Sequence, residues 1–317
     1  MTDPYSHDPA RWGASLAQSA ELLLRCLDAV GARSVLEIGA FAGDLTRVLV
    51  GWAAETGAAV TAIDPAPQDD LVALDRGAEA LALIRRTSLE ALPEIRLPDA
   101  IVIDGDHNYF TVSEELRLIG ELSAGAALPL LLFHDVCWPH GRRDDYHDAA
   151  AIPAQSRHPV AGENGGLFPG EPGVRHGGLT YPRSAAQEGG PRNGVLTAIE
   201  DFVADAERLR LVVVPVFFGF GAVWQLDAPW SDALASVLDP WDRNPVLERL
   251  EANRVLHIAR EFELAQRSAR QEAVLRRLLE SKAFAVAERL SKLRVRAGIA
   301  PSQSVISREE IRRALGE

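Results

Sequence analysis

Acidic and imidazole side chains gather at four places in the first 135 residues, each at the end of a short apolar run. Ile101 to Ile103 runs into Asp104-Gly105-Asp106-His107, and Leu130 to Phe133 runs into His134-Asp135. Val35 and Leu36 lead into Glu37, Gly39, Ala40, Phe41 and Gly43, while Val60 to Ile63 ends on Asp64. A carboxylate accepts several hydrogen bonds at once, and an imidazole of unperturbed pKa near ~6.5 exchanges a proton at neutral pH. Gly39 and Gly43 let the main chain turn sharply and come close to a ligand where a side chain would collide. Their spacing, Glu-x-Gly-x-x-x-Gly, is not the dinucleotide fingerprint G-x-G-x-x-G, because Phe41 stands at the middle glycine position. A plain strand–helix turn would account for the two glycines, and a helix cap for Asp64. An Asp-Gly-Asp-His cluster is harder to explain as an ordinary strand end.

The elements that must hold these residues follow from apolar periodicity. Residues 14–30 read as an amphipathic helix stopped by Gly31, and residues 34–40 as a buried strand followed by a helix over about 43–56. Residues 58–64 read as a second strand, and a third short element surrounds Ala82 to Thr87. Two more strands, 99–105 and 128–135, flank a helix at about 111–122. Strands alternating with helices predict an α/β, doubly wound, mostly parallel sheet, in which ligands bind outside the carboxyl ends of the strands. Glu37, Asp64, Asp104 and Asp135 all fall at or near those ends. A helix at about 195–208 and two strands within 209–226, turning at Phe218 to Gly221, close the sheet with an antiparallel edge.

The Glu37–Gly43 segment resembles the first motif of class I methyltransferases that use S-adenosylmethionine, in the form found in the catechol O-methyltransferase branch. Residues 101–116 and 131–136 are similar to the D-G-x-H-x-Y and fifth-strand motifs of the small-molecule group that includes macrocin-type sugar O-methyltransferases. The resemblance implies a seven-stranded Rossmann-like sheet and places Glu37, Gly39, Ala40, Phe41, Gly43 and Asp104 around the cofactor. It puts Asp64 on the ribose hydroxyls and Thr87 and Ser88 beside the adenine. It further implies Asp104 and Asp135 as ligands of Mg2+ (or Mn2+) and His107 as general base. A cation with hard oxygen ligands would hold an acceptor hydroxyl and lower its pKa, His107 would take the proton, and the remainder is positioning. The sequence departs from the pattern at His134, where the sugar-methylating relatives carry an acidic residue, and at Val136, where the catechol enzymes carry Asn. The third protein ligand is then Asp106, a residue of the lid, or His134 with a softer metal, unless the site works without a metal. Tyr109 reads as packing, and Glu115 fits a family acidic position and a solvated helix face equally well.

Directly after Asp135 the periodic pattern breaks, and residues 137–194 are rich in Gly, Pro, His and Arg. A stretch of that length reads as a functional lid, with Trp138, His140, Arg142, Arg143 and Tyr146 facing a sugar or aromatic acceptor and the two arginines able to clamp an anion. The expected organisation is a methyltransferase domain over 1–227 and a C-terminal helical extension over 228–317. Val255, Ile258, Phe262, Ala265 and Ala269 recur at coiled-coil spacing, which suits either a homodimer arm or packing on the sheet domain. Ser307 with Glu310 makes a capping box.

The formal net charge of −12 and pI near 5.2 argue against nucleic acid as the main substrate. Cys26 and Cys137 make neither a disulfide framework nor a cysteine zinc site. No apolar run approaches the ~20 residues that span a bilayer, and residues 1–15 lack the pattern of a secretory signal, so the expectation is a cytoplasmic enzyme with a small-molecule acceptor. Two other readings compete: a cephalosporin-hydroxylase-like or non-catalytic S-adenosylmethionine-binding protein, since fold alone does not fix chemistry, and an NAD-dependent oxidoreductase, disfavoured by the missing glycines.

Overall fold

The computed structural model describes residues 15–163, 165–206, 208–299, 301 and 307–316. The segment 1–14 read above for a leader, and Asn164 in the Gly-rich part of the lid, lie outside these residues. The chain enters through α1 (Ala20–Val30), β1 (Ser34–Ile38) and α2 (Asp44–Thr56), then β2 (Ala59–Ile63), α3 (Asp69–Gly77) and β3 (Leu81–Ile84). A one-turn α4 (Ser88–Ala91) leads to β4 (Ala100–Ile103), α5 (Tyr109–Leu122) and β5 (Leu130–Phe133). After the lid come α6 (Val195–Asp205), β9 (Leu209–Val214) and β10 (Phe220–Gln225).

The seven strands lie in the order β3-β2-β1-β4-β5-β10-β9, parallel from β3 to β5, with β10 antiparallel to both its neighbours. Strands β4 and β5 are buried at every residue, as expected when helices cover both faces of a parallel sheet. On one face Val35, Val60, Val102 and Leu132 pack with α1 and α2; on the other Leu36, Ile103, Leu131 and Phe133 pack with α5 and α6. Register is the decisive feature for the site. Ile38 pairs with Ile63 on one side and Ile103 on the other, and Ile103 pairs with Phe133. The next residue of each strand, Gly39, Asp64, Asp104 and His134, is therefore delivered to one edge. The order reverses between β1 and β4, which opens the crevice used by ligands in such sheets.

The lid carries elements that its sequence pattern did not show. Residues 137–194 contain a small antiparallel sheet, ordered β7 (Glu171–Arg175), β6 (Gly166–Phe168), β8 (Leu179–Thr180). Its strands have five, three and two residues, too short for alternation to be visible.

The boundary at residue 227 also moves. Helix α7 (Ser231–Leu238) buries Leu234 and Leu238 completely, and Ser231 accepts a 2.9 Å hydrogen bond from the indole of the fully buried Trp224. Next comes α8 (Pro245–Glu280), whose Val255, Ile258 and Ala259 are buried. The first compact unit ends at Ala259. Along the coiled-coil spacing, Val255 and Ile258 are core, Phe262 and Ala265 are half-buried, and Ala269 is exposed. The second unit begins at Arg260 and holds the rest of α8 with α9 (Lys282–Arg296) and α10 (Arg308–Ala314), the last opened by the Ser307–Glu310 capping box.

If α7 belongs to the core, Leu234→Ala lowers unfolding free energy in urea by about 2–5 kcal/mol. Leu290→Ala, at an exposed position of α9, changes it by less than about 0.5 kcal/mol.

Candidate active site

The site is built on a backbone crossing. Gly39 has φ +90°, and a Cβ there would lie 2.2 Å from the carbonyl oxygen of Asp104. Only glycine permits this contact between the loops after β1 and β4. The amide of Asp104 donates to the carbonyl of Ile38 at 2.9 Å and so locks the crossing. Beside it, Asp64 accepts from the amides of Phe41 (2.7 Å) and Ala66 (2.8 Å), one to each carboxylate oxygen. It therefore shapes the glycine loop while each oxygen keeps a lone pair for a further donor. Phe41, with φ +42°, holds its ring 64% exposed over this loop. Glu37 is buried and accepts from the Thr46 hydroxyl at 2.6 Å. Burial pushes its carboxyl up to about 8, Thr46 opposes this, and the Asp104, Asp64 and Asp44 carboxylates add to it.

Four side chains meet at the ends of β4 and β5. His107 Nε2 lies 3.1 Å from Asp135 Oδ2 and 3.5 Å from Asp104 Oδ1. His134 Nδ1 lies 3.2 Å from each of the same two oxygens. Asp104, His107 and Asp135 each offer a ligand atom within 4.8 Å of the others. Burial opposes ionisation of both aspartates, yet the facing imidazoles hold both carboxyls below their usual range. Burial likewise opposes the charged form of His107, but Asp135 and Asp104 outweigh it and carry the imidazole up to about 9. Asp135 sits in the left-handed region at φ +56°, a strained backbone for a residue that must be aimed.

The lid is tied to this loop. Asp145 donates its amide to the His107 carbonyl (2.9 Å), Asp144 accepts from the Tyr109 amide (2.7 Å), and Asp106 accepts from the His147 amide (3.1 Å). Asp106 also accepts from Asn108 and Thr111, so its oxygens organise the start of α5 and it does not join the carboxylate cluster. His140 is buried, stacks on His107 with centroids 5.0 Å apart, and meets the ring of Tyr181 edge-on. Burial lowers its imidazole to about 4, against Asp135, so the stacked partner is neutral. His140 Nδ1 and Trp138 Nε1 are buried without a hydrogen-bond partner among the described residues.

Three residues expected to face the acceptor serve the lid itself. Arg143 is fully buried and donates to the carbonyls of Ala185 (2.5 Å) and Pro172 (2.8 Å). Tyr146 is fully buried between Asp144 Oδ2 and the His158 amide. Arg142 makes a bidentate pair with Glu200 on α6, at 2.6 and 2.8 Å. Fork-shaped guanidinium groups suit this bridging role as well as they suit an anion. Thr87 and Ser88 open α4, with Thr87 forming a capping box with Glu90. Glu115, left open between two readings in sequence, is buried and accepts from the Ser88 hydroxyl at 2.5 Å. Burial raises its carboxyl to about 8, and its second oxygen has no hydrogen-bond partner among the described residues. Tyr181, forty-six residues from Asp135, had no sequence signal.

Residues 36–136, which carry every strand end of this site, match the family model described as a methyltransferase domain. Among solved structures, the SAH-bound Podospora anserina methyltransferase PaMTH1 is 15% identical, over 71% of this chain and 85% of that one, with TM-score 0.43. An O-methyltransferase family protein from Burkholderia thailandensis is 15% identical over 69% of this chain and 60% of that one, with TM-score 0.38. No curated protein matches the chain. The sheet and the matched segment define a methyltransferase domain of the Rossmann-like class.

Glu37 provides a check on the buried edge. Its folded pKa lies above the unfolded value, so the folded form binds the extra proton between about 4.5 and 8 and stability falls as pH rises through that window. Glu37→Gln removes the linkage. Denaturant midpoints from pH 5 to 8 should show wild type losing on the order of a few kcal/mol relative to the variant.

Proposed function

We propose that this protein transfers the methyl group of S-adenosylmethionine to a hydroxyl of a small molecule, a glycosyl or other natural-product-like acceptor. The observation that carries this reading is the convergence of Asp104, His107 and Asp135 at the strand edge that also holds the Gly39 crossing and Asp64. In this reading Glu37, Gly39, Ala40, Phe41 and Gly43 form the cofactor cradle, Asp64 meets the ribose hydroxyls, and Thr87 and Ser88 flank the adenine. When bound, S-adenosylmethionine supplies an electrophilic methyl carbon on a sulfonium sulfur. The donor set also suits a divalent cation: His107 Nε2 is buried without an aligned hydrogen-bond partner, although two carboxylate oxygens stand within 3.5 Å of it. Asp104 and Asp135 would hold such an ion, which lowers the pKa of a coordinated hydroxyl.

The side chains divide the remaining work. His107 in its neutral form, which the facing carboxylates make the minor form below about 9, accepts the acceptor's proton at Nε2 as the acceptor's oxygen takes the methyl group and S-adenosylhomocysteine leaves. Asp104 and Asp135 stabilise the imidazolium so formed, because both carboxylates face the same nitrogen. His140, neutral and stacked on His107, fixes the plane of that ring and keeps water from its face. Trp138 Nε1–H and His140 Nδ1 present polar atoms that an acceptor's oxygens can satisfy. Arg142, Arg143 and Tyr146 hold the lid over the site. Among the described residues no helix is long and apolar enough to cross a membrane, which suits an acceptor taken from solution.

Calorimetry with S-adenosylmethionine and S-adenosylhomocysteine, followed by radiolabelled methyl transfer to a panel of phenols and glycosides, tests the proposal. His107→Ala should keep cofactor affinity and lose about 10²–10⁴-fold in turnover, while Asp64→Ala should lose affinity. If neither adenosyl compound binds, the reading is wrong. If both bind and no hydroxyl is methylated, a non-catalytic or hydroxylase-like role takes its place.

A further inference from the structure

His134 is 2% exposed, and both its ring nitrogens have defined surroundings. Nε2 lies 2.8 Å from the carbonyl oxygen of Phe217. A carbonyl only accepts, so the proton of this hydrogen bond sits on Nε2 and Nδ1 is turned toward the carboxylates. There it is equidistant, 3.2 Å from Asp104 Oδ1 and 3.2 Å from Asp135 Oδ2. Bonds of about 2.0–2.2 Å to a shared ion place neighbouring ligand atoms about 3 Å apart, which is the spacing found. A metal-ligating histidine characteristically donates its other N–H to a carbonyl or carboxylate that fixes ring and tautomer, and Phe217 does this here.

The Phe217 carbonyl is itself held. Phe217 and Phe218 both lie in the left-handed region, at φ +50° and +68°, a costly pair for aromatic residues. Their amides donate to the two carboxylate oxygens of Glu251 on α8, at 3.2 and 2.8 Å. Glu251 is buried and clasped by Arg254 at 2.7 and 2.6 Å, with the guanidinium 4.4 Å over the Phe218 ring. A continuous relay thus runs from α8, through the strained turn before β10, to the ring of His134.

We propose that His134 Nδ1 is a nitrogen ligand completing the Asp104–Asp135 pair, that Glu251 is its positioning residue, and that the site therefore takes a borderline transition cation in preference to Mg2+. The proposal rests on the metal-assisted part of the function proposed above. Mixed imidazole and carboxylate ligands favour Mn2+, Fe2+, Co2+ or Zn2+, whereas Mg2+ takes oxygen and water. The aspartates supply charge; the imidazole supplies selectivity.

Metal-stripped full-length protein titrated calorimetrically with Co2+, Mn2+ and Mg2+ should bind the first two at least about tenfold more tightly than Mg2+. Pulsed EPR of the Mn2+-loaded wild type should show coupling to an imidazole nitrogen. That coupling should persist in His107→Ala and vanish in His134→Gln. Glu251→Gln should keep the far-UV dichroism and weaken Mn2+ binding about 10–100-fold. Absence of nitrogen coupling in wild type, its loss in His107→Ala, or tighter Mg2+ binding overturns the assignment, as does no ion binding at all, which would leave His134 a fixed counter-charge. The wild-type and His107→Ala spectra decide the matter even if His134→Gln fails to fold. S-adenosylhomocysteine affinity measured on the same samples separates the two proposals: retained affinity with a failed nitrogen signal rejects this ligand set and leaves methyl transfer standing.

Discussion

Two carboxylates, Asp104 and Asp135, stand at the ends of adjacent parallel strands, and the rest of the site exists to make that tolerable. Each follows a strand that is buried at every residue, and two like charges about 4 Å apart repel by about 4 kcal/mol at the effective dielectric of a protein site. Neither carboxyl can escape by rotating into the core, where an unpaired charge costs more. Compensation must arrive from the open edge, and it does so as His107 and His134, each within 3.5 Å of both carboxylates. The same demand makes the position attractive to a cation and keeps both acids ionised. Strand register, rather than any single loop, creates the problem, because Ile103 pairs with Phe133 and forces the next residues side by side.

The strand ends that this register aligns were legible in the sequence. The apolar runs before Asp64, Asp104 and Asp135 announced their own strand ends, and the observed elements lie within a few residues of those expected. The lid was legible only as a place. A two-residue strand such as Leu179–Thr180 carries no periodicity, and an arginine destined for burial looks the same in sequence as one destined for a ligand. Arg143 became structural because its guanidinium reaches two main-chain carbonyls far away in sequence, Ala185 and Pro172, the second already shared with the Glu188 amide. Long-range pairing of that kind leaves no local trace. Helices after residue 227 were expected, but not that α7 is part of the core, for a related reason: Leu234 and Leu238 complete a core whose other side lies far earlier in the chain, at Leu23 and Leu27.

The lid and the loop after β4 are one object. Asp144 is fully buried and gathers the amides of Tyr109 and Gly194 together with the Tyr146 hydroxyl. One carboxylate thereby fastens the first turn of α5, the entry to α6 and the interior of the lid. A buried carboxylate with several donors is strongly bound and costly to leave unpaired, so lid position and His107 position are coupled. So fastened, the start of the lid is held to the loop after β4 by buried hydrogen bonds through Asp144.

In the function proposed, chemistry and selectivity fall on different parts of the chain. Asp64, Asp104 and Asp135 come from strand ends, which backbone register fixes without help from side chains. The imidazoles are set from outside the matched segment 36–136: His107 by a stack on His140 of the lid, and His134 by the carbonyl of a strained turn that Glu251 holds from α8. A segment appended to a sheet domain can therefore retune the site while leaving every strand-end carboxylate in place. It needs only to move a carbonyl behind His134 or a ring behind His107. The left-handed backbone of Phe217 and Phe218 is then the cost of that control, of order 1–3 kcal/mol per residue, and the buried Glu251–Arg254 pair is what offsets it. Holding the carbonyl behind His134 requires an element that grips the Phe217–Phe218 turn, and α8 is that element.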